Sequence, residues 1–429
     1  MELKNEDLIS DDIEQSQDEE TENEKNHKIW KKNAPYLYDL LITWGLDWPS
    51  LCVSWWPNLD YLKDRPFYLQ KIALGTYTEG KENDYLLIGK VRLPISKAVL
   101  ETQPPEKSLT KEDLDNFNKI TNDQLIEEYK KFDNKLEIET KIRHDGEVNK
   151  VKINPINCNM IATQTNKGEI HIFNYHKFPP RPKDDTIPEP TKRFKFHTDL
   201  GYALSWSLLK EDYLLSGSYD GTICLWDTNS NNSDPVCHYH EHASQVEDVC
   251  FSKKLQYIFG TCGDDKSIKI MDYRADKPVI SIIGHDAEVN SIDFNPENEF
   301  LYITGSGDKT IALWDLRKPN LKLYSFKHHK NSILNVKWNN RRNNIFASSG
   351  EDNKVLIWDL TQIGENLVND DGIPSEMIFE HGGHMDKIND FDWNQNEDMM
   401  CASIDNSNNL QIWEMNIKNI INNNLQKKN

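Results

Sequence analysis

Apolar positions in this chain fall in short runs separated by turn residues, and the runs recur in a fixed frame. One stretch shows the frame clearly: apolar runs at 289–294, 301–304 and 310–313, with Gly307-Asp308 as the turn before the third. Runs of this length bounded by Gly, Asn and Asp read as strands of a small antiparallel sheet. The frame appears six times. His144, His197, His242, His285, His329 and His384 each stand 29 residues before a position that closes a strand: Phe173, Trp226, Met271, Trp314, Trp358 and Trp413. Ser or Thr stands ten residues before each closing position: Thr163, Ser216, Thr261, Thr304, Ser348 and Ser403. Asp stands six before it in four units, as Asp220, Asp265, Asp308 and Asp352.

Successive units start 53, 45, 43, 44 and 55 residues apart, which is the length of a four-stranded propeller blade. The interior of a unit keeps its length, so insertions fall between units. The His, Ser/Thr, Asp and Trp read as a hydrogen-bonded strut inside each blade. A buried indole N–H, a hydroxyl and an imidazole all need partners, and the turn Asp can accept from the imidazole. A set that recurs in unit after unit is structural, since a catalytic site is single. Met271 lacks the indole donor, and Lys167 and Ser407 replace the turn Asp, so those three blades are expected to be held more loosely.

The N-terminal part supplies what the six units lack. Strands are predicted at 36–46, 51–56, 67–77, 85–93 and 136–142, enough for one further blade and one spare strand. The last unit has three strands of its own. Closure by the 36–46 strand as its fourth leaves no free edge and makes seven blades. Residues 1–26 read as an acidic disordered tail, and 27–34 as a helix end stopped by Pro35. The propeller spans 35–415, with a disordered insertion at 95–134 and loops at 176–195 and 361–380; a short helical tail follows at 416–429.

Charge narrows the partners. The chain carries a net −20, and residues 1–27 hold eleven Asp/Glu against Lys4 and Lys25. That sign favours basic partners and disfavours direct nucleic-acid binding. No apolar run approaches the roughly 18 residues of a membrane span. Seven cysteines without a CxxC pair suit a reducing compartment. No phosphate-cradling or nucleophile motif is present, so no catalysis and no cofactor are expected. His238-Tyr239-His240-Glu241-His242 has the composition of a metal cluster, but His242 belongs to the repeat, and no metal site is expected.

The better candidate site is the channel mouth. Residues three and five after each repeat His are expected to share one direction there, by the period of two. They are Glu147/Asn149, Leu200/Tyr202, Gln245/Glu247, Glu288/Asn290, Ser332/Leu334 and Lys387/Asn389. Three carboxylates and three Asn in one ring would suit a peptide bearing Lys or Arg.

Trp226-Asp227, Trp314-Asp315 and Trp358-Asp359 spell the WD dipeptide, and Gly284-His285 and Gly383-His384 carry the companion signature. The fold class is therefore all-β, a seven-bladed WD-repeat β-propeller with an N-terminal helix and a short C-terminal helical tail. A narrower resemblance rests on Lys28-Ile-Trp-Lys-Lys-Asn33, Pro35, Leu37-Tyr-Asp-Leu40 and Trp48-Pro-Ser-Leu51, which lie outside the generic repeat. With Gly146-Glu-Val-Asn149, Val246-Glu-Asp-Val249, Ala287-Glu-Val-Asn290 and His381-Gly-Gly-His384, they resemble the retinoblastoma-binding histone chaperones. These form the small WD-repeat subunit of chromatin assembly factor, the type B histone acetyltransferase, and deacetylase, remodelling and Polycomb complexes.

The resemblance implies a non-catalytic, nuclear (in part cytoplasmic) histone-binding scaffold, a monomeric propeller within hetero-complexes. The alternative is a generic WD-repeat scaffold, such as a ubiquitin-ligase substrate adaptor or ribosome-assembly factor. The resemblance also implies two surfaces. A side groove would hold the first helix of a core histone, with Ile29, Trp30, Tyr36 and Leu37 on one wall and Asp370, Asp371, Ile378 and Phe379 on the other. The channel mouth would hold basic peptides of histone tails or partner subunits, through Asp47, Glu147, Asn149, Tyr202, Glu247, Glu288, Asn290 and Lys387. The family pattern is broken by Leu200, Ser332, Leu334 and Tyr77, with Asp405 standing near a position where the family has Glu.

Overall fold

The computed structural model describes residues 8–61, 67–94, 135–178, 187–364 and 372–416. The 95–134 insertion and the tail at 417–429 lie outside them, as do residues 1–7. Seven four-stranded antiparallel sheets form the blades of a propeller. Blades 1 to 6 are consecutive in sequence, starting at Val53, Val148, Ala203, Val246, Val289 and Ile333. Blade 7 takes its three inner strands from 388–415 and its outer strand, Tyr38–Gly45, from the other end of the chain. That strand pairs antiparallel with Asn409–Met415, as Leu41 opposite Trp413 and Thr43 opposite Gln411. The predicted closure is therefore present.

Two N-terminal expectations are corrected. Residues 8–26 are not disordered: one helix runs from Leu8 to Leu37. Low apolar content suggested disorder, but from residue 8 to Ala34 the segment has no Gly or Pro and is rich in Glu, Gln and Lys, which favour helix. Its acids concentrate in the first half and its lysines in the second, which complements the helix dipole. Nor does Pro35 stop the helix, which ends two residues later at Leu37. So near the end, a missing N–H costs little of the ladder. In the expected loops, Lys192–Lys195 and Met377–His381 are strands, the outer edges of blades 2 and 6.

The recurring polar set forms the strut its spacing suggested. The Trp314 indole N–H donates to Thr304 Oγ1 at 2.9 Å, Thr304 pairs with His285 Nε2 at 2.9 Å, and His285 Nδ1 meets Asp308 at 2.9 Å. Equivalent chains run through Trp358–Ser348–His329–Asp352. In blade 3, Trp226 and His197 flank Ser216, and His197 reaches Asp220 through Thr222 Oγ1. In blade 4 Met271 removes the indole, yet His242 keeps both Thr261 and Asp265.

The expected loosening of blade 7 is overturned. Asp405, two residues before Ser407, supplies the missing carboxylate to His384 at 2.8 Å. A buried imidazole selected the acid that reached it, not the one at the repeat position. Blade 2 has no such acid. His144 Nδ1 bonds the Gly146 carbonyl at 2.9 Å, and burial lowers the imidazole to about 3, so it stays neutral.

Adjacent inner strands do not share a sheet but are laced by side chains. Asp390 and Asp392 of blade 7 accept the backbone N–H of Val53 and Trp55 in blade 1. Asp248 accepts Ile292 N–H, and Asp293 accepts Trp338 N–H at 2.7 Å. Indole N–H groups of Trp206, Trp338 and Trp393 each donate to a carbonyl of the preceding blade. The seam between the two chain ends is thus bonded like the other seams.

Three expectations follow. Deleting residues 1–46 should abolish cooperative thermal unfolding, while deleting 1–22 should leave the melting temperature nearly unchanged; equal melting curves would refute closure by the 38–45 strand. Thr304→Val should cost about 2–4 kcal/mol in denaturant unfolding, since it leaves both the Trp314 N–H and His285 Nε2 without a partner. For Asp265 and Asp308, burial alone raises the carboxyl, but hydrogen bonds from His242 and Ser267, and from His285 and Thr310, outweigh it and hold both below the usual carboxylate range. The unfolded chain then binds more protons, so this stability is present above about pH 4 and is lost as pH falls further. Asp308→Asn should therefore lose stability at pH 7 but differ less from the parent at pH 3, read by urea titration at both values.

Candidate functional site

The inner strands explain how the mouth is built. In blades 2, 4, 5, 6 and 7 the pairing register slips at the same place: between Val148 and Lys150, Val246 and Asp248, Val289 and Ser291, Ile333 and Asn335, and Ile388 and Asp390. The residue skipped is always the fifth after the repeat His: Asn149, Glu247, Asn290, Leu334 or Asn389. A bulge leaves its residue unpaired and re-aims its side chain. In blade 3 the strand starts only at Ala203, so Tyr202 is likewise outside the ladder. Gly201 allows this, because a Cβ there would collide with the Gly217 carbonyl oxygen.

All six bulge-position residues line one cavity of about 270 Å³ at the mouth, together with Leu51, Lys150, Tyr219, Asp248, Asn335 and Lys387. The expected two-residue period fails here because each bulge breaks it. Of the residues three after the His, only Lys387 reaches the cavity. Glu147 and Glu288 stay outside it, with Glu147 bonded to Asn166 and Glu288 beside Gly307. Asp47 is exposed in the loop before Trp48 and also lies off the cavity. The expected ring of three carboxylates is therefore corrected to one at the bulge positions, Glu247. Asp405 is buried on His384 and faces no mouth.

The asparagines are staples rather than open donors. Asn149 Nδ2 donates to the Gly201 carbonyl at 3.2 Å, Asn290 to Ile333 at 2.8 Å, and Asn389 to Ser50 at 3.1 Å, each in the next blade. Tyr202 and Tyr219 stand with ring centroids 5.6 Å apart. Glu247 is half-buried, and burial with the nearby Asp264 pushes its carboxyl up to about 7.

The second candidate surface lies where the N-terminal helix meets blades 6 and 7. The Trp30 indole donates to Tyr38 Oη at 2.8 Å, and the Tyr38 hydroxyl pairs with His381 Nδ1 at 2.7 Å. His381 stacks on Trp413 with centroids 4.4 Å apart. Trp30 lies on Gly382 and Gly383; a Cβ on Gly383 would fall 2.8 Å from its ring. So Trp30 docks the helix, a role that its place in a short N-terminal motif did not reveal. Phe379 is 6% exposed and packs on Tyr38 and Trp413, forming floor rather than open wall. Ile29 and Tyr36 are 58% and 72% exposed, while Leu37 and Ile378 are half-buried. Asp370 and Asp371 lie outside the described residues.

His238 and His240 are exposed while His242 is committed to Asp265 and Thr261, so the three imidazoles do not converge. Among the described residues no group of three His, Cys, Asp or Glu could hold a metal.

The family model for the histone-binding protein RBBP4 and its counterpart in the CAF1 complex matches residues 25–95, the helix dock and blade 1. WD-domain repeats match at 189–227, 233–272, 276–315 and 320–359. The chain is 37% identical to the probable histone-binding protein rba-1 of Caenorhabditis elegans, over 92% of this chain and 94% of that one. This chain belongs to the RBBP4-type WD-repeat family. It is also 36% identical to the WD-40 repeat-containing protein MSI3 of Arabidopsis thaliana, over 91% of this chain and 89% of the relative.

Phe379→Ala in this family member should cost about 3–5 kcal/mol of propeller stability, as large-to-small changes at buried aromatics do. Chemical denaturation reads it. An unchanged midpoint would mean that Phe379 is an accessible wall after all.

Proposed function

We propose that the protein is a non-catalytic histone-binding chaperone and scaffold subunit of chromatin assembly, modification and remodelling complexes, working in the nucleus. One observation carries this reading. The segment matched by the histone-binding family model, 25–95, begins with the helix docked through Trp30 and includes the strand that closes the ring. A generic adaptor or ribosome-assembly propeller needs neither the docked helix nor the exposed pair Ile29 and Tyr36 beside it. Net charge of −20 agrees with basic partners rather than nucleic acid.

In this reading the first helix of a core histone lies along the N-terminal helix. Ile29 and Tyr36 make the primary apolar contacts, Leu37 and Ile378 extend them, and Trp30 and Phe379 support them from below. Asp370 and Asp371 would meet the histone's basic side chains. An amphipathic helix in an apolar groove with an acidic lip is a common recognition mode. The mouth takes a basic peptide from a histone tail or a partner subunit, with Tyr202, Glu247, Asn290 and Lys387 inside, and Asp47, Glu147 and Glu288 on the outer approach. Asn149 holds the ring in shape around it.

Recovery of core histones from acid-extracted chromatin tests the reading, and failure to retain any of them would end it. Ile29→Asp with Tyr36→Ala should weaken a peptide of the first histone helix by about tenfold or more, with the melting temperature unchanged. Glu247→Lys should abolish tail-peptide binding and leave the helix peptide bound, since the surfaces are separate. Loss of both peptides in either variant would mean that the two surfaces are one.

A further inference from the structure

We propose that Tyr219 and Asp264, which lie outside the repeat ring, complete a subsite at the mouth for one cationic side chain, and that filling it displaces a proton held between Glu247 and Asp264. The inference rests on the mouth being a peptide site, as proposed above. It starts from how few groups in the cavity remain free. The amide N–H groups of Asn149, Asn290 and Asn389 are spent on neighbouring blades. Lys150 is paired with Asp390 at 3.3 Å. What is left forms one corner. The Tyr219 hydroxyl donates to Glu247 Oε2 at 3.3 Å, and the Tyr219 ring meets the Tyr202 ring at 5.6 Å and 54°. Two ring faces and a carboxyl attract a single cation and offer little to an anion.

Glu247 shares this corner with charged groups from several elements. Asp248 follows it on its own strand, and Asp264 comes from the turn between the second and third strands of the same blade. Glu288 of blade 5 raises Asp264 in turn. Glu147 and Tyr77 act on Tyr202 from the blades on the other side. Cations are fewer in this cavity: Lys150, already paired, and the exposed Lys387. Burial and this excess of acid disfavour two ionised carboxyls, so the pair holds a proton part of the time near neutral pH, and its titration belongs to both groups. An arriving ammonium or guanidinium replaces that proton as the neutralising charge. Tyr219 is thus a positioning residue, holding the Glu247 carboxyl against the ring corner.

The sign is definite. Proton displacement makes binding stronger as pH rises through the range in which the pair titrates. The probe is a synthetic core-histone tail peptide, N-acetylated and free of His, so that it does not itself titrate between pH 6 and 8. Calorimetry at pH 7 in phosphate and in Tris, which differ in ionisation heat, reads protons released per peptide. The expected result is release of about 0.3–0.5 proton and an affinity several-fold higher at pH 8 than at pH 6. Asp264→Asn should still bind but release almost none. Tyr219→Phe should weaken binding about threefold and Tyr219→Ala further, as the ring is lost too. Melting curves confirm that each variant is folded. Equal heats in the two buffers with a pH-flat affinity would overturn the proton linkage and leave the mouth reading standing. Unchanged affinity in Tyr219→Ala would overturn the subsite. Absence of binding by the parent at every pH would overturn the mouth reading, and this inference with it.

Discussion

The pairing of Tyr38–Gly45 with Asn409–Met415 is the interaction on which the rest depends. A propeller is stable as a ring because every blade packs on two neighbours. An open ring would expose two blade faces and an unpaired strand edge. Here the last blade is finished by the first strand of the chain, so the ring closes across its own ends. The Asp390 and Asp392 carboxylates lace blade 7 to blade 1 across the same seam. Closure also fixes the N-terminal helix, which enters the strand at Tyr38. The Trp30–Tyr38–His381 chain of hydrogen bonds joins helix, closing strand and blade 6. One constraint therefore places the side groove as well as the ring.

Inside each blade a second device works at shorter range. A buried indole, hydroxyl, imidazole and carboxylate form a chain in which each donor meets an acceptor. Removing one member leaves others unsatisfied, which costs more than the bond itself. This explains why the set recurs, and also why substitutes differ. Blade 4 drops the indole without losing the His–Asp contact, and blade 7 recruits Asp405 in place of the turn acid. The requirement is for an acceptor at Nδ1, not for a residue at one sequence position. Where no acid reaches, as at His144, a backbone carbonyl serves.

The mouth shows how a local irregularity makes a surface. Five inner strands carry a bulge at the same position, and the bulged residues, with Tyr202, become the lining of the cavity. Three of them spend their amides tying blade to blade, which keeps the ring at fixed diameter. The remaining chemistry is concentrated on one side, at Tyr202, Tyr219, Glu247 and Asp264, while Leu51 and Leu334 supply apolar surface in the same cavity. A polarised mouth of this kind gives a bound peptide a direction.

The repeat register, the seven blades, the strut residues and the closing strand could all be read from the amino-acid sequence, because each follows from periodicity and from polar groups that must be paired when buried. The N-terminal motif was also legible as an addition to the repeat. Other features depended on distance in space. Pairing of Asp405 with His384, docking of Trp30 on Gly382-Gly383 and burial of Phe379 join residues of different elements, so no local pattern announces them. The helix from Leu8 was hidden because its sequence lacks an apolar stripe and carries its preference in propensity and charge order alone. The lining of the mouth was decided by tertiary structure for the same kind of reason. A two-residue period is a property of a regular strand, and a single bulge, required where the strand bends into the ring, turns Glu247 inward and leaves Glu147 and Glu288 outside the cavity.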